Sequence, residues 1–411
     1  MTKKHLFLIT LLTILQALVC SIPVQAQCPP NTPCSIPYCQ VVATPFCVGG
    51  QCIGSDWYEE FGQYALVFSD YFEGNTLNTQ FWLTKYPYAE PWDLLHHPNE
   101  QQLYLDDNVN VVNDGMYDTD GLNLQILNEP NTPYPNLPFS TDSQFDRDYT
   151  SGMVFNNKDQ PGLDHPSGCF KYGKFVFLAK MPAGQALWPA LWLHGWGEEM
   201  DLLEMNTDCQ HEVMTNMHRA LGSGSMSIND FCNGFFTTDV DLSEDFHEYT
   251  LEWTPYRVDY IFDGEIKRTF FRYYDPITHQ GLNYADIPKT PGAQILESRV
   301  FPTGEKWHDI IINLAKGWGG ACAVGNNGNP SNTTPCCPST MVVRSVEVYQ
   351  KVPKITLSTN TICSGQNTEV QFFAGEALSV WGVPTGISWE VSPNISIVNN
   401  TGNIITVTGN P

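Results

Sequence analysis

One short stretch constrains this chain more than any other. It is Gly197-Glu198-Glu199-Met200-Asp201-Leu202-Leu203-Glu204-Met205, preceded by the apolar, Trp-rich run Ala186-Leu187-Trp188-Pro189-Ala190-Leu191-Trp192-Leu193. In a strand, side chains two apart share a face, so Glu199 and Asp201 point one way while Met200 and Leu202 point into a core. At strict period two, Glu204 would fall on the core side, where an unpaired carboxylate is costly. One extra residue at Leu202-Leu203, a β-bulge, returns Glu204 to the face of Glu199 and Asp201 and leaves three acids in one row. A solvated helix face is the competing reading, since Glu, Met, Asp and Leu are all tolerated in helices. Trp188 and Trp192, with Pro189 between them, argue against an exposed helix.

Such a row suits cleavage of a glycosidic bond. That reaction needs one ionised carboxylate to attack the anomeric carbon and one protonated carboxylic acid to assist the leaving oxygen. A carboxylate between them helps keep the third protonated, because crowded like charges resist joint ionisation. Sugar rings present apolar C–H faces, so nearby Trp side chains are natural floors for them. Zinc-hydrolase and serine-hydrolase signatures, H-E-x-x-H and G-x-S-x-G, are absent from the sequence.

The surrounding chain reads as strands and turns. Tyr172 to Met181, His247 to Thr254, Asp309 to Ala315 and Met341 to Val352 are rich in β-branched and aromatic residues. Val258 to Phe262, then Asp263-Gly264, then Glu265 to Phe271 predicts a hairpin with a two-residue turn. Long helical periodicity is hard to find, so residues 56–352 predict an antiparallel sandwich or barrel.

The remaining segments differ in composition. Residues 1–26 carry Lys3 and Lys4, the apolar run Leu6 to Val19, and Val24-Gln25-Ala26, the pattern of a secretory signal peptide. Cys20 suggests a lipoprotein anchor, but Val19 before it is a poor fit, so a soluble exported protein is the favoured reading. No other stretch is long and apolar enough to span a bilayer. About 385 residues remain after the signal, enough for a large β domain and a small one. Residues 27–55 hold Cys28, Cys34, Cys39, Cys47 and Cys52 among Pro, Gly and Ser, which in an exported chain predicts a disulfide-stapled loop segment. Residues 353–411 turn to Thr, Ser, Asn and Val, with Ile387 to Val391 and Asn403 to Thr408 as expected strands. With 44 Asp and Glu against 20 Lys and Arg, the formal charge is −24. That acidity disfavours nucleic acid and ranks neutral glycans above strongly sulfated ones. A monomer is expected.

Leu187 to Leu193 followed by Glu199-Met200-Asp201-Leu202-Leu203-Glu204 resembles the signature of glycoside hydrolase family 16, in the bulged E-x-D-x-x-E form shared by laminarinases, agarases and carrageenases. Val67 to Gly74 is similar to the family's opening strand, and Asn99-Glu100-Gln101-Gln102-Leu103-Tyr104 to its N-E-x-Q-x-Y segment. Tyr149 to Gly152, Phe246 to Trp253, Ile311 to Ala315 and Val346 to Gln350 follow in the family's order. Ile362-Cys363-Ser364-Gly365 resembles the opening of Ig-like or PKD-like modules appended to bacterial secreted proteins.

The resemblance implies a β-jelly roll of two antiparallel sheets, concanavalin A-like, whose curved inner sheet forms an open cleft, with a small C-terminal β-sandwich module. It implies Glu199 as nucleophile, Glu204 as acid and then base, and Asp201 as the residue that orients Glu199 and tunes both. Retention of configuration is expected, and Glu198 is expected to lie off the catalytic face. Trp192 and Trp188 match family positions for substrate contact, with core packing as the alternative; Trp196 and Trp318 are weaker candidates. Asn99 and Gln102 match residues that bind sugar hydroxyls or else hold a turn. His218 matches a strand next to the catalytic one, where a buried, satisfied histidine is the competing role. No cofactor is required. Met153 stands where laminarinases usually carry Arg, and Arg344 where the family often has an Asp associated with structural calcium, which makes calcium doubtful. The expected activity is an endo-acting retaining glycanase on a neutral polysaccharide, β-1,3-glucan first, with a β-galactan hydrolase or a glycan-binding protein on the same fold as alternatives.

Overall fold

The computed structural model describes residues 39–43, 47–48, 51–52, 63–86, 100–129, 147–156, 170–195, 197–219, 230–288, 290, 292–302, 308–317, 337–352, 354–357, 367–373, 395–400 and 404–409. Two large sheets face each other across a shared apolar core. The outer sheet has ten strands. Glu265–Phe271, Arg257–Phe262, His247–Trp253, Gly173–Lys180, Ser339–Val352, Gly121–Asn128, Tyr149–Ser151 and Gln102–Tyr104 follow in spatial order, and Gln63–Asp70 and Val109–Val112 add to its side. The inner sheet has six, in the order Asp230–Thr237, Glu212–Arg219, Glu198–Glu204, Leu187–Gly195, His308–Lys316 and Met153–Phe155. Almost all pairings are antiparallel; Gln102–Tyr104 with Tyr149–Ser151 is parallel. This is a β-jelly roll sandwich, and the expected strand segments within 56–352 are all strands.

Alternation places the core. Phe175, Phe177 and Ala179 of Gly173–Lys180 meet Leu191, Leu193, Met200, Leu202, Leu203, Ile310, Ile312 and Leu314 of the inner sheet. The hairpin at Asp263-Gly264 forms as expected, with Phe262 opposite Glu265. Both turn residues have positive φ, 46° and 80°, the backbone that matches the twist of two-residue hairpins and favours Asp-Gly.

A second apolar cluster lies on the far side of the inner sheet. Tyr86, Tyr104, Met153, Phe155, Ala190, Trp192, Ile311 and Ala315 form it, with Leu83 and Trp188 at its margin. Every residue of His308–Lys316 is buried, because this strand has the sandwich core on one face and the second cluster on the other. Aromatic side chains therefore cover part of this far face of the inner sheet. Met153, which replaces an expected cation, is fully buried there.

Some expectations change. Residues 27–55, expected as loop, contribute the strand Cys39–Ala43, which joins Gln294–Ser298 and Tyr273–Tyr274 in a three-stranded sheet, and the small hairpin Cys47–Val48 with Gln51–Cys52. The run Cys39-Gln-Val-Val-Ala has the β-branched residues to pair along the edge of a sheet despite the loop-like composition around it. In the C-terminal stretch, Lys354–Leu357, Asn367–Phe373, Ile404–Gly409 and Ile395–Asn400 form one antiparallel four-stranded sheet; Ile387 to Val391 lies outside the described residues. The Arg344 guanidinium sits 3.9 Å from the Tyr117 ring centroid and 4.0 Å from that of Phe246. A cation resting against two aromatic rings does not fit a calcium ligand set. No helix among the described residues is long and apolar enough to cross a membrane.

Candidate active site

The bulge lies where the alternation of charge requires it. Against Leu187–Gly195, Leu203 pairs with Leu191 and Asp201 with Trp192, so Leu202 is the extra residue. Against Glu212–Arg219, Asp201 pairs with Asn216 and Glu204 with Met214, so two residues of the acid strand face Thr215 alone. Leu202 and Leu203 both enter the core, and Glu204 returns to the side of Glu199 and Asp201. Without the bulge Glu204 would be driven into that core.

The three acids are held differently. Asn216 donates a short hydrogen bond from its amide nitrogen to Glu204 Oε2, and the Trp188 indole N–H donates to Glu204 Oε1 at 2.9 Å. His218 Nε2 lies 3.2 Å from Asp201 Oδ2 and 3.8 Å from Glu199 Oε1. Burial raises the Glu204 carboxyl to about 8, reinforced by the charge of Asp201 and opposed by His218, Trp188 and Asn216. Burial also lifts Asp201, against hydrogen bonds with Asn216 and Glu204. Glu199 is pushed well above the ordinary carboxylate range by burial first and Asp201 second, with His218 pulling it back. Three carboxyls in a desolvated row cannot all be ionised near neutral pH, so the site holds protons as well as charge.

Glu198 points the other way. Its carboxylate lies 3.5 Å from Arg219 Nε and 3.8 Å from His308 Nε2, behind the cleft. His308 is wholly buried against Trp253, 4.7 Å between ring centroids.

Trp188 and Trp192 alternate with Ala190 on the cleft face, since Ala190 pairs with Glu204 and Trp192 with Asp201. Trp192 is only 5% exposed within the aromatic cluster, and its indole N–H donates to Asn313 Oδ1 at 2.8 Å. The amide of Asn313 donates in turn to the Tyr104 hydroxyl at 3.0 Å. Gln102 is fully buried and its side-chain oxygen accepts the backbone N–H of Lys316 at 2.7 Å, so it ties two strands together. Asn99, Trp196 and Trp318 lie outside the described residues.

Three residues at the site were missed in the sequence. Asn216 holds Glu204, Asn313 anchors Trp192, and His194 stands directly across from Glu199. Burial pulls the His194 imidazole down to about 4, leaving it neutral, and its ring meets Trp192 edge-on at 5.8 Å. Period-two counting from His218 to Asn216, and from Trp192 to His194, would have placed two of them on the cleft face.

One oxygen each from Glu199 and Asp201 and one nitrogen of His218 lie within 4.8 Å of one another, a spacing that could also grip a divalent cation. The arrangement of a buried protonated carboxyl beside ionisable neighbours needs none.

Residues 138–308 match the family model described as glycosyl hydrolases family 16. The chain is similar to glucan endo-1,3-beta-glucosidase A1 of Niallia circulans, 28% identical over 307 residues, covering 70% of this chain and 38% of that protein. It is also similar to the beta-1,3-glucan-binding protein of Penaeus monodon, 28% identical over 171 residues, covering 36% of this chain and 43% of that one. The chain thus spans well under half the length of these relatives. Among solved structures, the catalytic domain of an endo-1,3-beta-glucanase (laminarinase) from Thermotoga petrophila RKU-1 is 22% identical with a TM-score of 0.48, covering 71% of this chain and 99% of that one. The match to glycosyl hydrolases family 16 thus spans residues 138–308, with the bulged acid strand Glu198–Glu204 inside it.

Proposed function

We propose that this chain is an exported, endo-acting, retaining glycoside hydrolase acting on a neutral polysaccharide, with β-1,3-glucan as its first substrate. The observation that carries the reading is the bulge at Leu202-Leu203, which sets Glu204 on the face of Glu199 and Asp201. Ionised Glu199 attacks the anomeric carbon while the Glu204 carboxyl gives its proton to the departing glycosidic oxygen. The carbon–oxygen bond to the leaving sugar breaks and an ester to Glu199 forms. A water then attacks the anomeric carbon, Glu204 takes the water's proton, the bond from that carbon to Glu199 breaks, and the Glu199 carboxylate is released. Asp201, held by His218, sits between the two and keeps their protonation states apart.

Trp188, half-buried at the margin of the aromatic cluster and bonded to Glu204, is the best placed to meet a sugar ring next to the cleaved bond. Trp192 contributes at most an edge. His218 contacts the acids and so acts on them before it acts on substrate. Asn99 and Trp318 remain candidates from the sequence, and residues 353–411 are assigned as a spacer or attachment module. Relatives named as glucan endo-1,3-beta-glucosidases support β-1,3-glucan. Export rests on the pattern of residues 1–26 and is supported by Cys209, which is disulfide-bonded.

A second reading, glycan binding without cleavage, is favoured by the likeness to the Penaeus monodon protein. One experiment separates them. The mature protein is incubated with laminarin and product anomers are followed by NMR from the first minutes. Release of β-anomers that mutarotate later is expected, and Glu199→Ser is expected to lower the rate by about four orders of magnitude or more. Initial α-anomers would overturn retention, and reducing ends formed equally by Glu199→Ser would overturn the assignment.

A further inference from the structure

The bulge that turns Glu204 outward leaves a weak point behind it. A bulge breaks the regular ladder and leaves its region held by fewer strand–strand bonds. Here Thr215 is the residue of the neighbouring strand that faces the extra residue, and Asn216, next in sequence, carries the amide that grips Glu204. Both backbone carbonyls at this point receive donors from the opposite sheet. One guanidinium nitrogen of Arg268 donates to the Thr215 carbonyl at 2.6 Å and to the Thr215 hydroxyl at 2.8 Å. The Tyr260 hydroxyl donates to the Asn216 carbonyl at 3.0 Å.

These two donors form a unit. Arg268 and Tyr260 are cross-strand partners in the hairpin Arg257–Phe262 and Glu265–Phe271, and the guanidinium lies 6.0 Å from the Tyr260 ring centroid. On the inner sheet, Gly234 pairs with Thr215. A Cβ there would come within 2.3 Å of the Arg268 guanidinium carbon, so the absent side chain makes the room that the arginine fills. Thr215 is fully buried with its side chain toward Arg268. A charged group brought between two sheets and aimed at a peptide carbonyl is held by charge-assisted hydrogen bonds, roughly twice as strong as neutral ones.

We propose that Arg268, together with Tyr260, is a positioning residue for the general acid. From behind the cleft it holds the two carbonyls opposite the bulge, and thereby fixes where Asn216 meets Glu204. It touches neither substrate nor the reacting atoms. The inference rests on the assignment of Glu204 as acid and base, so the test must distinguish the two.

Cleavage of a sugar–sugar bond needs a proton on the leaving oxygen, whereas departure of 2,4-dinitrophenolate does not. Values of kcat/KM, which report the steps up to formation of the glycosyl-enzyme, are measured on laminarin and on a 2,4-dinitrophenyl β-laminarioligosaccharide for wild type, Glu204→Gln, Arg268→Met, Arg268→Lys and Tyr260→Phe. Arg268→Met is expected to lose about 10- to 100-fold on laminarin and less than about threefold on the aryl glycoside. Arg268→Lys is expected to recover part of the laminarin loss, and Tyr260→Phe to show the same split at about three- to tenfold. A merely structural role predicts equal losses on both substrates. Equal losses, or no loss in Arg268→Met and Tyr260→Phe while Glu204→Gln shows the split, overturn this inference alone. Glu204→Gln cleaving laminarin at the wild-type rate overturns the acid assignment and this inference with it. If Arg268→Met does not fold, Tyr260→Phe carries the same comparison.

Discussion

Glu198 and Glu199 are adjacent, chemically identical and on the same strand, yet they belong to different regions of the molecule. Glu199 stands on the cleft side, beside Asp201 and His218, where burial and like charge resist its ionisation. Glu198 stands on the core side, between Arg219 and His308, where cationic or proton-donating partners meet it. The comparison teaches that a carboxylate's role is set by which face of the sheet it occupies. A paired acid anchors the fold, while crowded acids carry exchangeable protons.

Moving an acid from one face to the other breaks this comparison most severely. Exchanging Leu203 and Glu204 puts the carboxyl at the core-facing position that Leu203 fills. Activity on laminarin is expected to fall by about 10³-fold or more, with a drop in stability of about 3 kcal/mol or more from the buried, unpartnered carboxyl; assays at matched folded fraction, with urea titration, check both. Retained activity would mean that the side of the sheet does not decide the acid's role.

Glu198→Gln sharpens the contrast from the other side. It is expected to cost about 1–3 kcal/mol, because Arg219 and His308 lose a charged partner in a largely buried site. The kcat of the folded protein should stay within about threefold, since the residue sits behind the cleft. Thermal unfolding and kcat on laminarin measure the two effects separately, and a large loss of kcat with unchanged stability would reverse the assignment.

The smallest effect concerns pH. Glu204, raised to about 8, is protonated below that value and ionised above it, so kcat/KM is expected to fall as pH rises through about 8. Stability follows the same proton. The native state holds it more tightly than the unfolded chain, so this contribution is complete below the ordinary Glu range and is lost as pH rises toward about 8. Glu204→Gln should therefore gain about 2–4 °C in Tm relative to wild type at pH 8.5 and little near pH 4. Calorimetry across that range shows whether the cleft acids, unlike Glu198, are held at the expense of stability.

Much of this was legible in the chain. The alternation of Glu199, Met200 and Asp201 placed the first two cleft residues, and the cost of burying Glu204 located the bulge at Leu202-Leu203 before any pairing was known. Asp263-Gly264 located the hairpin turn by the positive φ that it requires. These are local matters, decided within a few residues by period and sterics.

The rest was decided only when distant segments met. Trp192 reads as a sugar platform in sequence, but Tyr86, Tyr104 and Phe155, from three other segments, cover it. Gln102 reads as a sugar ligand, but a backbone N–H more than two hundred residues later claims its oxygen. Nothing near Thr215 announces that Arg268 will reach it from the facing sheet. Side-chain direction follows from the two-residue period of a strand, and the chain carries that information itself; exposure and partnership depend on which surfaces pack together, and only the closed sandwich supplies them.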